Sequence, residues 1–198
     1  MFNSKKSLIF ASALAVSLFA FTACNTALSV NPELISLTNS GKILPLENHA
    51  FDWGDVNIEG GNVDKTFKFK NDGDKDLIIK SAGTSCMCTT AEVKLPDGTL
   101  SPKFGMHEKI IWGGIVKPGE EFEVKVVFDP LAHGPDGVGP IQRTVFIETS
   151  SEINGNYAKV LSSGHGGGGD AAVMTEINLS GNVLYKADYE KKKSQPVS

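Results

Sequence analysis

Cysteine is scarce in this sequence, and basic residues do not outnumber acidic ones. Three cysteines among 198 residues are too few to hold a small domain together by disulfide bonds. A formal net charge of -4 at pH 7 argues against a general nucleic-acid binder, which normally carries a basic surface. The hydrophobic share of 40% is nevertheless enough to build a core. The composition therefore excludes a collagen-like or generally disordered chain.

No apolar run near the N-terminus is long enough for an ordinary membrane-spanning helix. The run Leu8–Phe21 has 14 residues, whereas a span needs about 20. Lys5 and Lys6 precede it, and Phe21-Thr22-Ala23-Cys24, which resembles a bacterial lipobox, ends it. We predict a lipoprotein-type signal peptide over 1–23, with lipid attached to Cys24. The mature protein is then exported and held at the cell membrane or cell envelope by its acyl chains. An ordinary secretory signal and an uncleaved anchor are the alternatives.

Polar segments flank the central part of the chain. Residues 24–47 contain Pro32, Gly41, Pro45 and several Asn, which is typical of a tether. Residues 186–198 contain three consecutive Lys and end in Ser-Gln-Pro-Val-Ser, which predicts a disordered tail. A single domain over 48–185 remains.

Sustained helical periodicity is absent between Phe51 and Leu184. Short alternating runs, separated by Gly, Asp, Asn and Pro, occur instead. The clearest is the run 122–128, in which apolar residues alternate with Glu123 and Lys125. Six or seven such runs predict an all-β, antiparallel, immunoglobulin-like β-sandwich.

Several short motifs, taken in order, resemble the bacterial DUF1573 family over roughly 48–185. They are Phe51-Asp52-Trp53-Gly54-Asp55-Val56, Phe67-Lys68-Phe69-Lys70-Asn71-Asp72-Gly73, Leu77-Ile78-Ile79-Lys80, Ser85-Cys86-Met87-Cys88-Thr89, Lys117-Pro118-Gly119-Glu120, Val126-Val127-Phe128-Asp129-Pro130 and Leu179-Ser180-Gly181-Asn182-Val183. The chain departs from the family in having Met87 where Gly is usual, and in an insertion over about 95–115. The resemblance implies an immunoglobulin-like domain that is often exported, but it implies no activity.

The pair Cys86 and Cys88 is the best candidate for chemistry. On an extended strand their Cα atoms would be ~6.6 Å apart, which disfavours a disulfide but lets both sulfur atoms bind one ion. Loops at one end of a sandwich can converge, and two loops offer further soft donors. We therefore predict a copper or zinc site whose ligands are Cys86, Cys88, Met106, His107 and His133, with Met87 as another weak candidate. Small buried cysteines or a strained disulfide, with ordinary loop histidines, are the alternative.

Other catalytic signatures are missing. A thiol-redox enzyme is a further alternative for the cysteines, but the chain has no Cys-x-x-Cys motif or βαβ pattern. It also has no Ser/His/Asp arrangement and no paired-carboxylate context. The glycine-rich run 164–169 is followed by Asp170 rather than by Lys and Ser or Thr, so it is no phosphate-binding loop. We predict a protein that is not an enzyme but an interaction or structural module with a cell-envelope protein as partner. A copper-binding protein is the alternative function.

Overall fold

Two β-sheets form the framework of the residues that the structure describes. The computed structural model describes residues 41–107, 110–151 and 173–195. The strands are β1 (Ile43–Pro45), β2 (Ala50–Asn57), β3 (Val63–Asn71), β4 (Leu77–Thr84), β5 (Thr89–Lys94), β6 (Gly114–Val116), β7 (Glu121–Phe128), β8 (Gly139–Ser151) and β9 (Val173–Leu184). One helix, α1 (Lys186–Lys193), follows β9.

The strands form a four-stranded sheet in the order β1-β3-β7-β5 and a five-stranded sheet in the order β2-β9-β8-β4-β6. The predicted all-β, immunoglobulin-like sandwich is therefore confirmed. One detail differs from the prediction, since β2 pairs with β9 in parallel while the other pairs are antiparallel.

Alternating apolar residues supply the core between the sheets. In β7 the four apolar side chains at alternate positions are at most 2% exposed: Phe122, Val124, Val126 and Phe128. Phe67 and Phe69 of β3 are fully buried from the neighbouring strand. Burying each such side chain contributes about 1.5–3 kcal/mol. The period-two pattern in the sequence thus identifies the inward face of both strands.

The first strand lies where the sequence predicts only a tether. Ile43–Pro45 pairs antiparallel with the end of β3, from Ile43 opposite Asn71 to Pro45 opposite Phe69. A three-residue strand shows no periodicity, because alternation needs at least four residues to be recognised. The tether prediction is therefore wrong for these three residues.

The chain after β9 also differs from its prediction. Lys186–Lys193 forms helix α1, although a disordered tail is predicted there. Asp188 lies in the first turn and Lys191, Lys192 and Lys193 in the last, where each charge is favourable to the helix dipole. Lys192 Nζ binds both carboxylate oxygens of Asp55 in β2, at 3.0 and 3.1 Å. The lysine run is thus part of a helix that contacts the sandwich.

The insertion over 95–115 is part of the sandwich in the residues that the structure describes. Phe104 is fully buried in the core and forms a bridge with Ala91, and Leu100 forms one with Lys94. β6 then pairs with the edge of β4. The segment therefore covers the edges of both sheets.

The predicted signal peptide, Cys24 and the glycine-rich run 164–169 lie outside the described residues. Within the described ranges, no helix has both the length and the apolar character needed to cross a membrane.

Candidate metal and thiol site

Cys86, Met87 and Cys88 lie in the tight turn between β4 and β5 rather than on a strand. The backbone N–H of Thr89 donates to the carbonyl of Cys86 at 3.1 Å and closes the turn. The Thr84 hydroxyl lies 3.0 Å from the carbonyl oxygens of both Cys86 and Thr89, so it holds the two ends of the turn together. The premise of an extended strand is therefore wrong. The turn brings the two Sγ atoms to 2.6 Å.

The strand register brings a second loop against this turn. Thr89, the first residue of β5, pairs with Phe128, the last residue of β7. Cys88 and Asp129 therefore meet, and the Asp129 N–H donates to the Cys88 carbonyl at 2.8 Å. The loop after β7 thus begins directly beside the cysteines.

Local hydrogen bonds shape this loop so that a histidine faces Cys86. The Asp129 carboxylate accepts from Leu131 N–H at 2.9 Å, and Gly134 N–H donates to the Leu131 carbonyl at 2.8 Å. Gly134 has a φ of 85°, which glycine adopts easily. His133 lies in sequence between Leu131 and Gly134, the residues that these bonds hold. Its Nε2 is 3.1 Å from Cys86 Sγ.

Arg143 also contacts the candidate site, although the sequence did not single it out. It lies in β8 on the face shared with the buried side chains of Ile141 and Val145, so it points inward at the end of the sandwich. Its Nε donates to Cys88 Sγ at 3.0 Å, and its Nη1 donates to the Gln142 carbonyl at 2.7 Å. A signal was present in the sequence, because Arg143 is the charged residue among the inward positions of this alternating strand.

The two cysteines differ in burial and in acidity. Cys86 is half-buried, and burial alone would raise its pKa. Hydrogen bonds from Cys88 and His133, together with the charge of Arg143, outweigh burial and lower the pKa of Cys86 from 9.0 to about 7. Cys88 is only 2% exposed, and burial together with its hydrogen bond to Cys86 raises its pKa. Cys86 is thus the more accessible and the more acidic thiol of the pair.

The structure brings together three of the predicted ligands. The ligand atoms of Cys86, Cys88 and His133 all lie within 4.8 Å of one another. His107 does not belong to this group. Together with Met106 it lines a depression beside Gly83 and Phe146. The prediction that the loop at 106–107 converges on the cysteines therefore fails. The Thr84 N–H donates to the Gly105 carbonyl at 3.3 Å, which holds this segment beside β4 instead.

We expect alkylation of Cys86 by iodoacetamide to have its midpoint near pH 7, since the reagent reacts with thiolate and the pKa of this thiol is about 7. Cys88 should react slowly over the same range. Peptide-level mass spectrometry against pH measures both cysteines separately. In His133→Ala, which lacks one bond that lowers the pKa, the midpoint should move upward. A midpoint at the ordinary value of 9.0 in the folded protein would contradict the assigned contacts.

Comparison with known families supports the resemblance seen in the sequence. Residues 44–102 match the family model DUF1573, described as a protein of unknown function. The resemblance is confirmed for these residues, which include the Cys86 and Cys88 turn. His133 and Arg143 lie outside the matched segment. No curated protein matches the sequence significantly.

Several solved structures match this chain at low identity and with TM-scores below 0.5. The ASH/PapD-like domain 7 of human CEP192 is 13% identical, with a TM-score of 0.42, over 74% of this chain and 87% of that one. A Porphyromonas gingivalis W83 protein of unknown function is 14% identical, with a TM-score of 0.45, over 73% of this chain and 48% of that one. WR4, an MSP family member of C. elegans, is 11% identical, with a TM-score of 0.38, over 74% of this chain and 99% of that one.

Proposed function

We propose that this protein is an exported immunoglobulin-like module, lipid-anchored through Cys24, that binds a soft metal ion at Cys86, Cys88 and His133. Copper(I) is the first candidate and zinc the second. The observation that carries the proposal is the convergence of two thiol sulfur atoms and one imidazole nitrogen within 4.8 Å.

The donor set favours a soft ion of low coordination number. Thiolate sulfur selects Cu(I) or Zn(II) over hard cations. A structural zinc site normally has four protein ligands, whereas the cluster in the described residues has three. Two sulfur atoms and one nitrogen complete a trigonal site for Cu(I) without further ligands.

The charge around the cluster also favours a monovalent ion. Two thiolates contribute two negative charges, and the guanidinium of Arg143, 3.0 Å from Cys88 Sγ, contributes one positive charge. Adding Cu(I) makes the sum zero, whereas adding Zn(II) leaves one uncompensated positive charge. An uncompensated charge in a half-buried site is unfavourable.

Binding requires a small opening of the dithiol. Two sulfur atoms bound to one ion at ~2.3 Å each are about 4 Å apart in trigonal geometry. The present separation is 2.6 Å. Because Cys86 is half-buried at the surface of the turn, rotation of its side chain provides the opening, while Cys88 stays fixed by Arg143.

A competition titration of Cu(I) against a chromophoric chelator tests the proposal. Native mass spectrometry should show one ion per reduced chain, and Cys86→Ser should abolish this binding. His133→Ala should weaken it by at least about tenfold, since even outer-shell partners of a metal contribute that much.

His107→Ala is the matched control for this titration, because the sequence favoured His107 equally while the structure places it elsewhere. It should bind as wild type does. Equal affinity of wild type and Cys86→Ser would defeat the proposal, as would equal losses in His107→Ala and His133→Ala.

The surroundings of the cluster also fit a role in protein interaction. Met87 is 57% exposed and Leu131 is 45% exposed, and both lie within two residues of a ligand. Exposed apolar side chains next to a half-exposed site are suited to contact with another protein. We therefore retain a cell-envelope partner docking at this end of the sandwich as a second candidate function.

A further inference from the structure

The turn over residues 86–88, called the cysteine turn from here on, holds one half-buried and one buried thiol. A dithiol that exchanges with a disulfide needs this difference in exposure. Cys86 is half-buried at the surface, whereas Cys88 is 2% exposed and faces the core. Their sulfur atoms are 2.6 Å apart within one turn. An external disulfide can therefore reach only Cys86, and Cys88 is in place to attack whatever forms on the Cys86 sulfur.

Each sulfur atom has its own partner that stabilises negative charge. His133 Nε2 lies 3.1 Å from Cys86 Sγ, and Arg143 Nε donates to Cys88 Sγ at 3.0 Å. A nitrogen donor at this distance stabilises a thiolate through a charge-assisted hydrogen bond. His133 can also accept the Cys86 thiol proton at Nε2, whereas Arg143 only donates.

We propose that the metal-free protein reduces exposed disulfides by thiol–disulfide exchange, with Cys86 as the nucleophile and Cys88 as the resolving thiol. The thiolate of Cys86 attacks one sulfur of a disulfide RS–SR′, forms a Cys86–S–S–R bond and releases R′S⁻, which is protonated by solvent. Cys88 then loses its proton to solvent and attacks the Cys86 sulfur, which releases RS⁻, and RS⁻ is protonated by solvent in its turn.

The balance is complete without a further oxidant or reductant. The protein dithiol loses two electrons and two protons and becomes the Cys86–Cys88 disulfide, while RS–SR′ becomes two thiols. This activity goes beyond metal binding and competes with it, because a bound ion would occupy both sulfur atoms. It also departs from the sequence-based prediction of a protein that is not an enzyme.

The test uses the full-length chain with Cys24→Ser, reduced, in detergent and with excess chelator. Equimolar 5,5′-dithiobis(2-nitrobenzoate) is the disulfide probe. Wild-type Cys86 and Cys88 should release two thionitrobenzoates per probe molecule, and peptide mapping should find the Cys86–Cys88 disulfide. The Cys88→Ser variant should release one thionitrobenzoate per probe molecule and keep the other as a stable mixed disulfide on Cys86. The first release should be at least tenfold slower in Cys86→Ser.

Arg143→Gln should slow the second release more than the first, because Arg143 hydrogen-bonds directly to Cys88 Sγ and acts on Cys86 only through its charge. A wild-type product with stable adducts on both cysteines would overturn the proposal. So would a first release that is no faster in the folded chain than in urea, or one that is faster from Cys88 than from Cys86. Chelator is present throughout, so the outcome is independent of whether the protein binds Cu(I).

Discussion

Replacing Asn71 by alanine should lower the free energy of unfolding by about 3–4 kcal/mol, since its four hydrogen bonds to backbone groups, one of them buried and three part-buried, are lost together. Asn71 is fully buried at the end of β3. Its Oδ1 accepts from the N–H groups of Lys42 and Gly73, and its Nδ2 donates to the carbonyls of Lys75 and Val116, all at 2.8–3.0 Å. One amide thus joins the chain before β1, the turn after β3 and strand β6.

Equilibrium unfolding in urea, followed by circular dichroism, measures this loss. Asn48→Ala is the matched control, because the Asn48 side chain is exposed and its Oδ1 accepts one bond, from Ala50 N–H. Asn48→Ala should lower the free energy of unfolding by less than about 1 kcal/mol. Equal losses in the two variants would show that Asn71 does not tie these segments together.

Replacing Phe128 by alanine should cost about 3–5 kcal/mol, the usual range for a buried aromatic side chain. Phe128 is 2% exposed and stacks on Trp53, with ring centroids 5.3 Å apart. It packs in the same cluster as Cys88 and is paired with Thr89 at the base of the cysteine turn. Loss of the ring should therefore also weaken Cu(I) binding.

The same urea titration measures this change, and the tryptophan emission, to which Trp53 contributes, reports the packing around Phe128. Phe146→Ala is the control, since Phe146 is only half-buried and its β8 position alternates with the core positions Val145 and Ile147. Phe146→Ala should lower the free energy of unfolding by less than Phe128→Ala does, and it should leave the Cu(I) affinity unchanged. A Phe128→Ala protein as stable as Phe146→Ala would contradict the assignment of Phe128 to the core.

The strands could be predicted from sequence wherever alternation is long enough to define a face. The run from Phe122 to Phe128 is the clearest case, since its buried positions follow period two throughout. β1 and α1 could not be predicted in this way. β1 is too short to show a period, and α1 has no buried residue and hence no apolar stripe.

The candidate site could be predicted only in part, because ligand type is visible in a sequence while convergence is not. Cys86, Cys88 and His133 meet because the register pairs Thr89 with Phe128 and so joins the turn to the loop after β7. The same reasoning assigned His107 to the site. His107 instead lies beside Gly83 and Phe146, because the Gly105 carbonyl accepts from Thr84 N–H in β4, a contact that local sequence does not reveal.

The most direct test of the account is X-ray absorption at the copper edge of the reduced, Cu(I)-loaded protein. We expect a first shell of two sulfur atoms and one nitrogen, in which the nitrogen disappears in His133→Ala and persists in His107→Ala. A shell without sulfur, or one unchanged by His133→Ala, would contradict a copper centre made by the cysteine turn and the loop after β7.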